Sequence, residues 1–308
     1  MNNLSRQKSL KNLFKKKPYY ILAIVLISLV CYILEFGFDT DNKADFESAG
    51  NLAVCFIDVG QGDCTLIKTP SGKHMVIDAG TGEAKYKILD YLTNNGVREI
   101  EYCVFTHPHE DHIGSAETLI ESFTVKNALL TNKSEPTATF ERLVDALSNS
   151  KKEKGTKVLM PSVGETYALD ENVSFTILSA DGANKDTNNS SICLKLTYGN
   201  TSFLFTGDAE KIIENQILYS GADVSANVFK CAHHGSSTSN SEDFVRAVAP
   251  EIAIVSCGLD NSYGHPHREV ISTMSQIGAQ VYRTDNDGDI VIFSDGNSVN
   301  VNMTHKAA

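Results

Sequence analysis

Apolar and polar residues alternate along the chain in short blocks. Leu52 to Asp58, Cys64 to Thr69 and His74 to Asp78 are apolar runs of strand length, and the turn sequences Gly60-Gln61-Gly62 and Pro70-Ser71-Gly72 separate them. Three strands are predicted to open the domain. From Glu83 to Asn94 the residues Tyr86, Leu89 and Leu92 recur at helical spacing, and Asn94-Asn95-Gly96 supplies the stop. Glu101 to Thr106 then reads as a strand, Gly114 to Ser122 as a helix, Asn127 to Leu130 as a strand and Thr137 to Ser148 as a helix. Lys151-Lys152-Glu153-Lys154-Gly155 reads as a solvated turn. Strands follow at Val158 to Met160, Val173 to Ser179, Ile192 to Tyr198 and Ser202 to Thr206, the last two joined by a tight Gly199-Asn200 hairpin. Helices at Ala209 to Tyr219, Asp243 to Val248 and His267 to Ile277 alternate with strands at Asn227 to Cys231 and Ile252 to Ser256. Strands at Val281 to Thr284, Ile290 to Phe293 and Val299 to Asn302 finish the order, which predicts an α/β (α+β) domain of two strand-rich halves with helices on both outer faces.

A different pattern precedes this domain. The first eighteen residues hold Arg6, Lys8, Lys11, Lys15, Lys16 and Lys17 and no acid, and an apolar run from Tyr19 to Leu34 follows. That run is shorter than the ~20 residues of an ordinary spanning helix, but Phe36-Gly37-Phe38 can extend it past Glu35. Asp39, Asp41, Asp45 and Glu47 come next, so the positive-inside rule predicts a single-pass anchor in the cell membrane. The expected division is a cytoplasmic basic segment over 1–18, a transmembrane helix over 19–38, a linker over 39–50 and an extracytoplasmic domain over 51–308. A cleaved signal and a secreted domain is the alternative; the small residues Ser48-Ala49-Gly50 lie far downstream of the run, which favours the anchor.

Charge narrows the partners. Setting the six N-terminal cations aside leaves 21 Lys and Arg against 38 Asp and Glu, a balance of about −17. Such a domain lacks the basic footprint of a tight, non-specific DNA binder. The cysteines after Cys31 lie mostly inside apolar runs without C-x-x-C spacing, which predicts buried thiols rather than disulfides or metal ligands.

Candidate chemistry concentrates in Val104-Phe105-Thr106-His107-Pro108-His109-Glu110-Asp111-His112-Ile113-Gly114, which places three imidazoles and two carboxylates within six positions after a strand. His107 and His109 alternate along extended backbone and point the same way, while Asp111 and His112, at the turn into a helix, reach a second position. Two divalent transition-metal ions are expected, zinc or manganese.

His-x-His-x-Asp-His after a strand resembles the signature of the metallo-β-lactamase fold superfamily. Phe56-Ile57-Asp58-Val59-Gly60-Gln61-Gly62-Asp63, Phe205-Thr206-Gly207-Asp208, His233-His234-Gly235-Ser236 and Tyr263-Gly264-His265-Pro266 are similar to the hydrolase domain of ComEC-type DNA-uptake competence proteins. The similarity covers roughly Asn51 to the C-terminus and suggests a relative standing apart from the polytopic channel portion. It implies a four-layer αββα sandwich with the site along one edge. In that pattern His107, His109, Asp111, His112, Asp208 and His265 are the expected metal ligands, with Asp208 the bridge at a Gly-Asp turn and also a candidate N-cap. His233 and His234 are adjacent, so one is expected to face inward as ligand or acid/base and the other to support it. Asp58, Gln61 and Asp63 are expected to border the site, with Asn189 and Ser236 on substrate loops and Asp78 holding the metal loop. A histidine that many members place on a middle strand is absent from Thr187-Asn188-Asn189-Ser190-Ser191. His267 is expected to be peripheral, and His74 and His305 structural.

The reaction expected is hydrolysis by a metal-bound hydroxide, with Asp111, His233 and His234 as catalytic candidates. A phosphodiester is the leading substrate, single-stranded DNA among them. Another exported ester or amide, such as a cell-wall or lipid phosphodiester or a β-lactam, is the alternative, and a metal-binding surface module without turnover is a third.

Overall fold

Val54 and Phe56 pack on one side of the first strand and Ala53, Cys55 and Ile57 on the other, and all are buried. A strand covered on both faces needs a continuous apolar run, which is why this stretch carries no polar alternation. In the computed structural model the described residues are 50–303, and all lie in a unit of residues 44–308. The expected basic segment, membrane helix and nearly all of the linker fall outside them, as does His305. Among the described residues no helix is long and apolar enough to cross a membrane.

Six strands open the unit: β1 (Leu52–Phe56), β2 (Thr65–Lys68), β3 (His74–Ile77), β4 (Glu99–Val104), β5 (Thr124–Leu129) and β6 (Lys157–Leu159). Seven follow: β7 (Thr166–Asp170), β8 (Val173–Ser179), β9 (Cys193–Tyr198), β10 (Thr201–Phe205), β11 (Val228–Lys230), β12 (Ile252–Val255) and β13 (Gln280–Arg283). β14 (Ile290–Ser294) and β15 (Val299–Met303) return to the first sheet, whose order is β15-β14-β1-β2-β3-β4-β5-β6. The second sheet runs β13-β12-β11-β10-β9-β8-β7.

Three apolar layers hold the unit together. Phe56, Ile77 and Val104 of the first sheet meet Phe175, Phe203 and Ile254 of the second in a central layer. The other face of the first sheet packs on helices Lys85–Asn94, Ala116–Ser122 and Ala138–Glu153 through Ile88, Leu119 and Leu143. Helices Lys211–Tyr219, Glu242–Val248 and Arg268–Gln276 cover the second sheet through Ile213, Phe244 and Met274. This is the αββα sandwich. β3 to β6 are mutually parallel, as are β10 to β13, so each group presents its C-terminal strand ends on one edge.

Several elements depart from the sequence reading. Lys151, Lys152 and Glu153 form the last turn of the helix Ala138–Glu153 and not a separate loop, because buried Ser150 continues the packed face and cations suit a helix C-terminus. β7 is an edge strand that sequence pattern did not reveal; its burial is partial and its pairing with β8 breaks register between Ala168 and Asp170. The helix after β10 begins at Lys211 with Glu210 at its N-cap, so the Asp208 carboxylate is not the cap. A short helical turn at Glu110–Ile113 replaces expected loop, and another at Thr284–Asp287 follows directly on β13 where no element was expected.

Candidate metal centre

The parallel strand ends decide which side chains meet. Asp78 follows β3, His107 to His112 follow β4, Asp208 follows β10, His233 and His234 follow β11, and His265 lies after β12. Asp78 sits at φ 58°, and its carboxylate ties down the metal loop. Oδ1 accepts from the Thr106 backbone N–H at 2.8 Å, and Oδ2 accepts from Thr106 Oγ1 and faces His112 Nδ1, both at 2.8 Å. His112 thus turns Nε2 toward Asp208 Oδ1, 3.2 Å away. Gly207, at φ 51°, makes the turn that aims Asp208 inward, and a Cβ there would come within 2.9 Å of Ser191 Oγ. Asp208 Oδ2 lies 3.8 Å from His107 Nε2, 3.7 Å from His233 Nε2 and 3.6 Å from His234 Nε2. It is the hub of the cluster. His109 Nδ1 stands 3.0 Å from His107 Nε2, and Asp111 Oδ2 stands 3.1 Å from His234 Nε2.

Burial opposes charge on His112, yet Asp208, Asp78 and Asp111 push its pKa well above the ordinary imidazole value. His234 is buried likewise, and Asp208, Asp63 and Asp111 raise it to about 10. His107 goes the other way, held well below the usual range by burial and by His112 beside it. Burial, with His234 and His233 nearby, pulls His265 down to about 4. Asp208 resists its own burial through His112 and His234, which hold it well below the carboxylate range.

Buried imidazoles and carboxylates in alternation are the donor set of a divalent ion, and unpartnered atoms support that fit. Asp111, His112, Asp208 and His234 each offer a ligand atom, all within 4.8 Å of one another. His112 Nε2 and Asp208 Oδ1 are buried facing each other at 3.2 Å without a well-formed hydrogen bond, and His265 Nδ1 is buried with no partner, a costly state that a cation would relieve. His107 also faces Asp208, with His109 beside it, and these further donors next to the four-residue group fit a dinuclear site.

The neighbours sort differently from the sequence expectation. His233 (φ 50°) and His234 (φ 53°) are both in the left-handed region and not extended, so both rings face Asp208 instead of opposite sides. His234 is buried, whereas the His233 side chain is 22% exposed to the cleft. Asp63 is at the site: Lys230 Nζ donates to it at 2.5 Å, and its Oδ1 lies 3.3 Å from His234 Nδ1. Asp58 instead accepts from the Gly60 N–H and faces Lys87 at 3.4 Å, outside the cleft lining. Gln61 lines the cleft and accepts from the Gly258 N–H at 3.2 Å. Asn189 is buried against Glu210 and does not line the cleft; Asn188 does. Ser236 is buried against Thr238, holding its loop and away from the lining. His267 accepts from the Ser237 N–H at 2.9 Å, and His74 sits at the end of β3 remote from Asp78. Where the middle-strand histidine is missing, Ser191 Oγ lies 3.3 Å from His107 Nδ1 and accepts from the Asp208 N–H. Sequence reasoning missed Lys230, although a lone cation inside the apolar strand Val228–Lys230 was a readable signal. It also missed Thr106, Ser191 and the cleft-wall residues Glu135, Thr137 and Thr139.

A family model described as the metallo-beta-lactamase superfamily matches residues 57–259. The chain belongs to the metallo-beta-lactamase superfamily. ComE operon protein 3 of Bacillus subtilis (strain 168) is 29% identical over 256 residues, 77% of this chain and 32% of that protein. Recombination protein 2 of Haemophilus influenzae is 29% identical over 241 residues, 76% of this chain and 28% of that protein. Competence protein ComA of Neisseria gonorrhoeae is 28% identical over 246 residues, 77% and 31% of the two chains. These relatives agree with the ComEC-type similarity of the motifs, and the chain spans about a third of their length. CmlA, a diiron beta-hydroxylase from Streptomyces venezuelae, has a TM-score of 0.52 at 14% identity, over 83% of this chain and 58% of its own. At that identity the likeness shows the superfamily's fold alone.

Proposed function

We propose that this metallo-beta-lactamase domain is a metal-dependent phosphodiesterase or nuclease, with single-stranded DNA as its polymer substrate. The observation that carries the reading is the convergence of His107, His112, His233 and His234 with Asp111 on Asp208, and of His109 on His107, at a cleft of about 440 Å³. All six cysteines among the described residues are buried, which leaves no thiol nucleophile at the cleft. When bound, two divalent ions supply Lewis acidity and a water of near-neutral pKa.

The chain's own residues position and protonate. Asp78 and Thr106 orient His112, and Asp63 with the Ser256 carbonyl orients His234. We assign the leaving oxygen's proton to His233, a reading its opening to the cleft supports. Relatives named for competence and recombination support nucleic acid as the substrate. The cationic start and the apolar run over 19–34 support membrane anchoring with the domain outside, a topology that protease treatment of intact protoplasts tests by removing the domain.

The function is tested on the full chain loaded with manganese or zinc, assayed in parallel on single-stranded DNA, bis-p-nitrophenyl phosphate and a chromogenic cephalosporin. Metal-dependent cleavage of the first two is expected. Turnover of the cephalosporin alone would move the assignment to another ester or amide, and inactivity on all three to a metal-binding module.

A further inference from the structure

A nucleic-acid site normally gains most of its affinity from cations set against phosphates. This cleft has none: no lysine or arginine is among the described residues that line it, while Glu110, Asp111 and Glu135 are. Its rim offers apolar surface instead. The loop after β12 exposes Leu259 at 67% and Tyr263 at 65%, and Tyr263 lines the cleft. That exposure is not the looseness of a free loop. Asn261 Nδ2 donates to the Gly258 carbonyl at 2.9 Å and the His265 carbonyl at 2.6 Å, and its Oδ1 accepts from the His265 N–H at 3.0 Å. Gln61 holds the base of the loop through the Gly258 N–H. The Tyr263 ring lies nearly parallel to His265, 18° apart with centroids at 5.6 Å. At that separation the two rings are offset, so His265 flanks the Tyr263 ring and most of the residue stays open to the cleft and solvent.

We propose that Tyr263 is a stacking platform for a nucleobase next to the scissile phosphodiester, so that the site takes single-stranded nucleic acid in preference to duplex. This deepens the phosphodiesterase reading and rests on it. Every base has a π face, so an aromatic platform adds grip on single strands with little sequence preference, a contribution separate from that of cations set against phosphates. A base inside a duplex is already stacked on both sides and reaches such a platform only after extrusion.

The test uses the full metal-loaded chain and two esters with one leaving group, thymidine 5′-(4-nitrophenyl phosphate) and methyl 4-nitrophenyl phosphate. The ratio of their kcat/KM values isolates the base. Tyr263→Ala is expected to lower that ratio ~10-fold or more, and Tyr263→Phe to preserve it. Binding of a fluorescein-labelled phosphorothioate oligothymidylate, followed by anisotropy, should weaken by a similar factor in Tyr263→Ala and hold in Tyr263→Phe. An unchanged ratio, or Tyr263→Phe behaving like Tyr263→Ala, would overturn the platform. Wild-type inactivity on both esters would sink the phosphodiesterase reading instead, and the binding comparison then decides the platform by itself: equal affinity of wild type and Tyr263→Ala, or no binding by wild type, rejects it.

Discussion

His233 and His234 are adjacent, both turned toward Asp208, and differ in what surrounds them. His234 is buried, with Nε2 between Asp111 and Asp208 and Nδ1 on the Ser256 carbonyl. His233 is partly open, with Nδ1 against Thr238 Oγ1 at 3.2 Å. His234→Ala is therefore expected to deplete metal, measured by elemental analysis, and to damage activated and unactivated esters alike. His233→Ala should retain metal and slow an ester with a poor leaving group ~10²- to 10⁴-fold more than a nitrophenyl ester. Metal loss in His233→Ala with equal rate losses would move that ring into the coordination shell.

The elements that carry these residues are locked by close approaches. Gly62, in the turn after β1, faces the metal loop so tightly that a Cβ would sit 2.5 Å from the Asp111 carbonyl oxygen. Asp63 N–H donates to that same oxygen at 3.0 Å, so the two loops cannot separate freely. Gly62→Ala is expected to lower stability by ~1–3 kcal/mol and to weaken metal binding, because the shift falls on Asp111. Urea denaturation and a zinc titration would read both, and unaltered metal affinity would count against the coupling. Lys230 on β11 is a second lock, its ammonium buried on Asp63; burial opposes its charge, but Asp63 and Asp208 raise its pKa. Lys230→Ala leaves the buried Asp63 carboxylate with His234 and His112 alone and should cost ~3–5 kcal/mol, while adding Asp63→Ala to it should recover part of the loss. Equal midpoints for single and double variants would show that the pair is not the cause.

At the scale of the whole domain, the cluster ties stability to pH and to metal. Without metal, His234 keeps its proton up to about 10 against an ordinary 6.5, despite burial, because Asp208 and Asp63 face it. A raised pKa contributes stability that is whole below 6.5 and drains away as pH rises toward 10. Asp111 is lowered to about 2 from 3.8, overcoming burial through His112 and His234. Its share is present above 3.8 and is lost as pH falls toward 2. The metal-free chain should therefore melt at lower temperature as pH rises from 7 to 9. Zinc, which takes the place of the protons, should remove most of that decline and bind more tightly as pH rises. Thermal melts with chelator and with zinc across this range test it, and parallel pH profiles would contradict the linkage.

What the amino-acid sequence determined by itself was periodic or local. Apolar runs such as Leu52–Phe56 specify strands buried on both faces, and helical spacings between them specify helices, so most of the order of elements was legible, whereas the return of β14 and β15 to the first sheet was not. The His107 to His112 loop was legible for the same reason, since its donors are neighbours in the chain. Edge strand β7 was not, because a half-exposed strand carries little pattern. Tertiary structure alone decided the rest. The Asp63 and Lys230 partners are 167 positions apart, and no spacing rule connects them. The choice of Asn188 over Asn189 at the cleft turns on one residue of a short helical turn. Both histidines after β11 face Asp208 because their backbone is left-handed, a conformation that the extended-strand rule does not foresee. Periodicity is set by bonded geometry and survives in any fragment, whereas the meeting of β4, β10, β11 and β12 at one edge exists only once two sheets have packed.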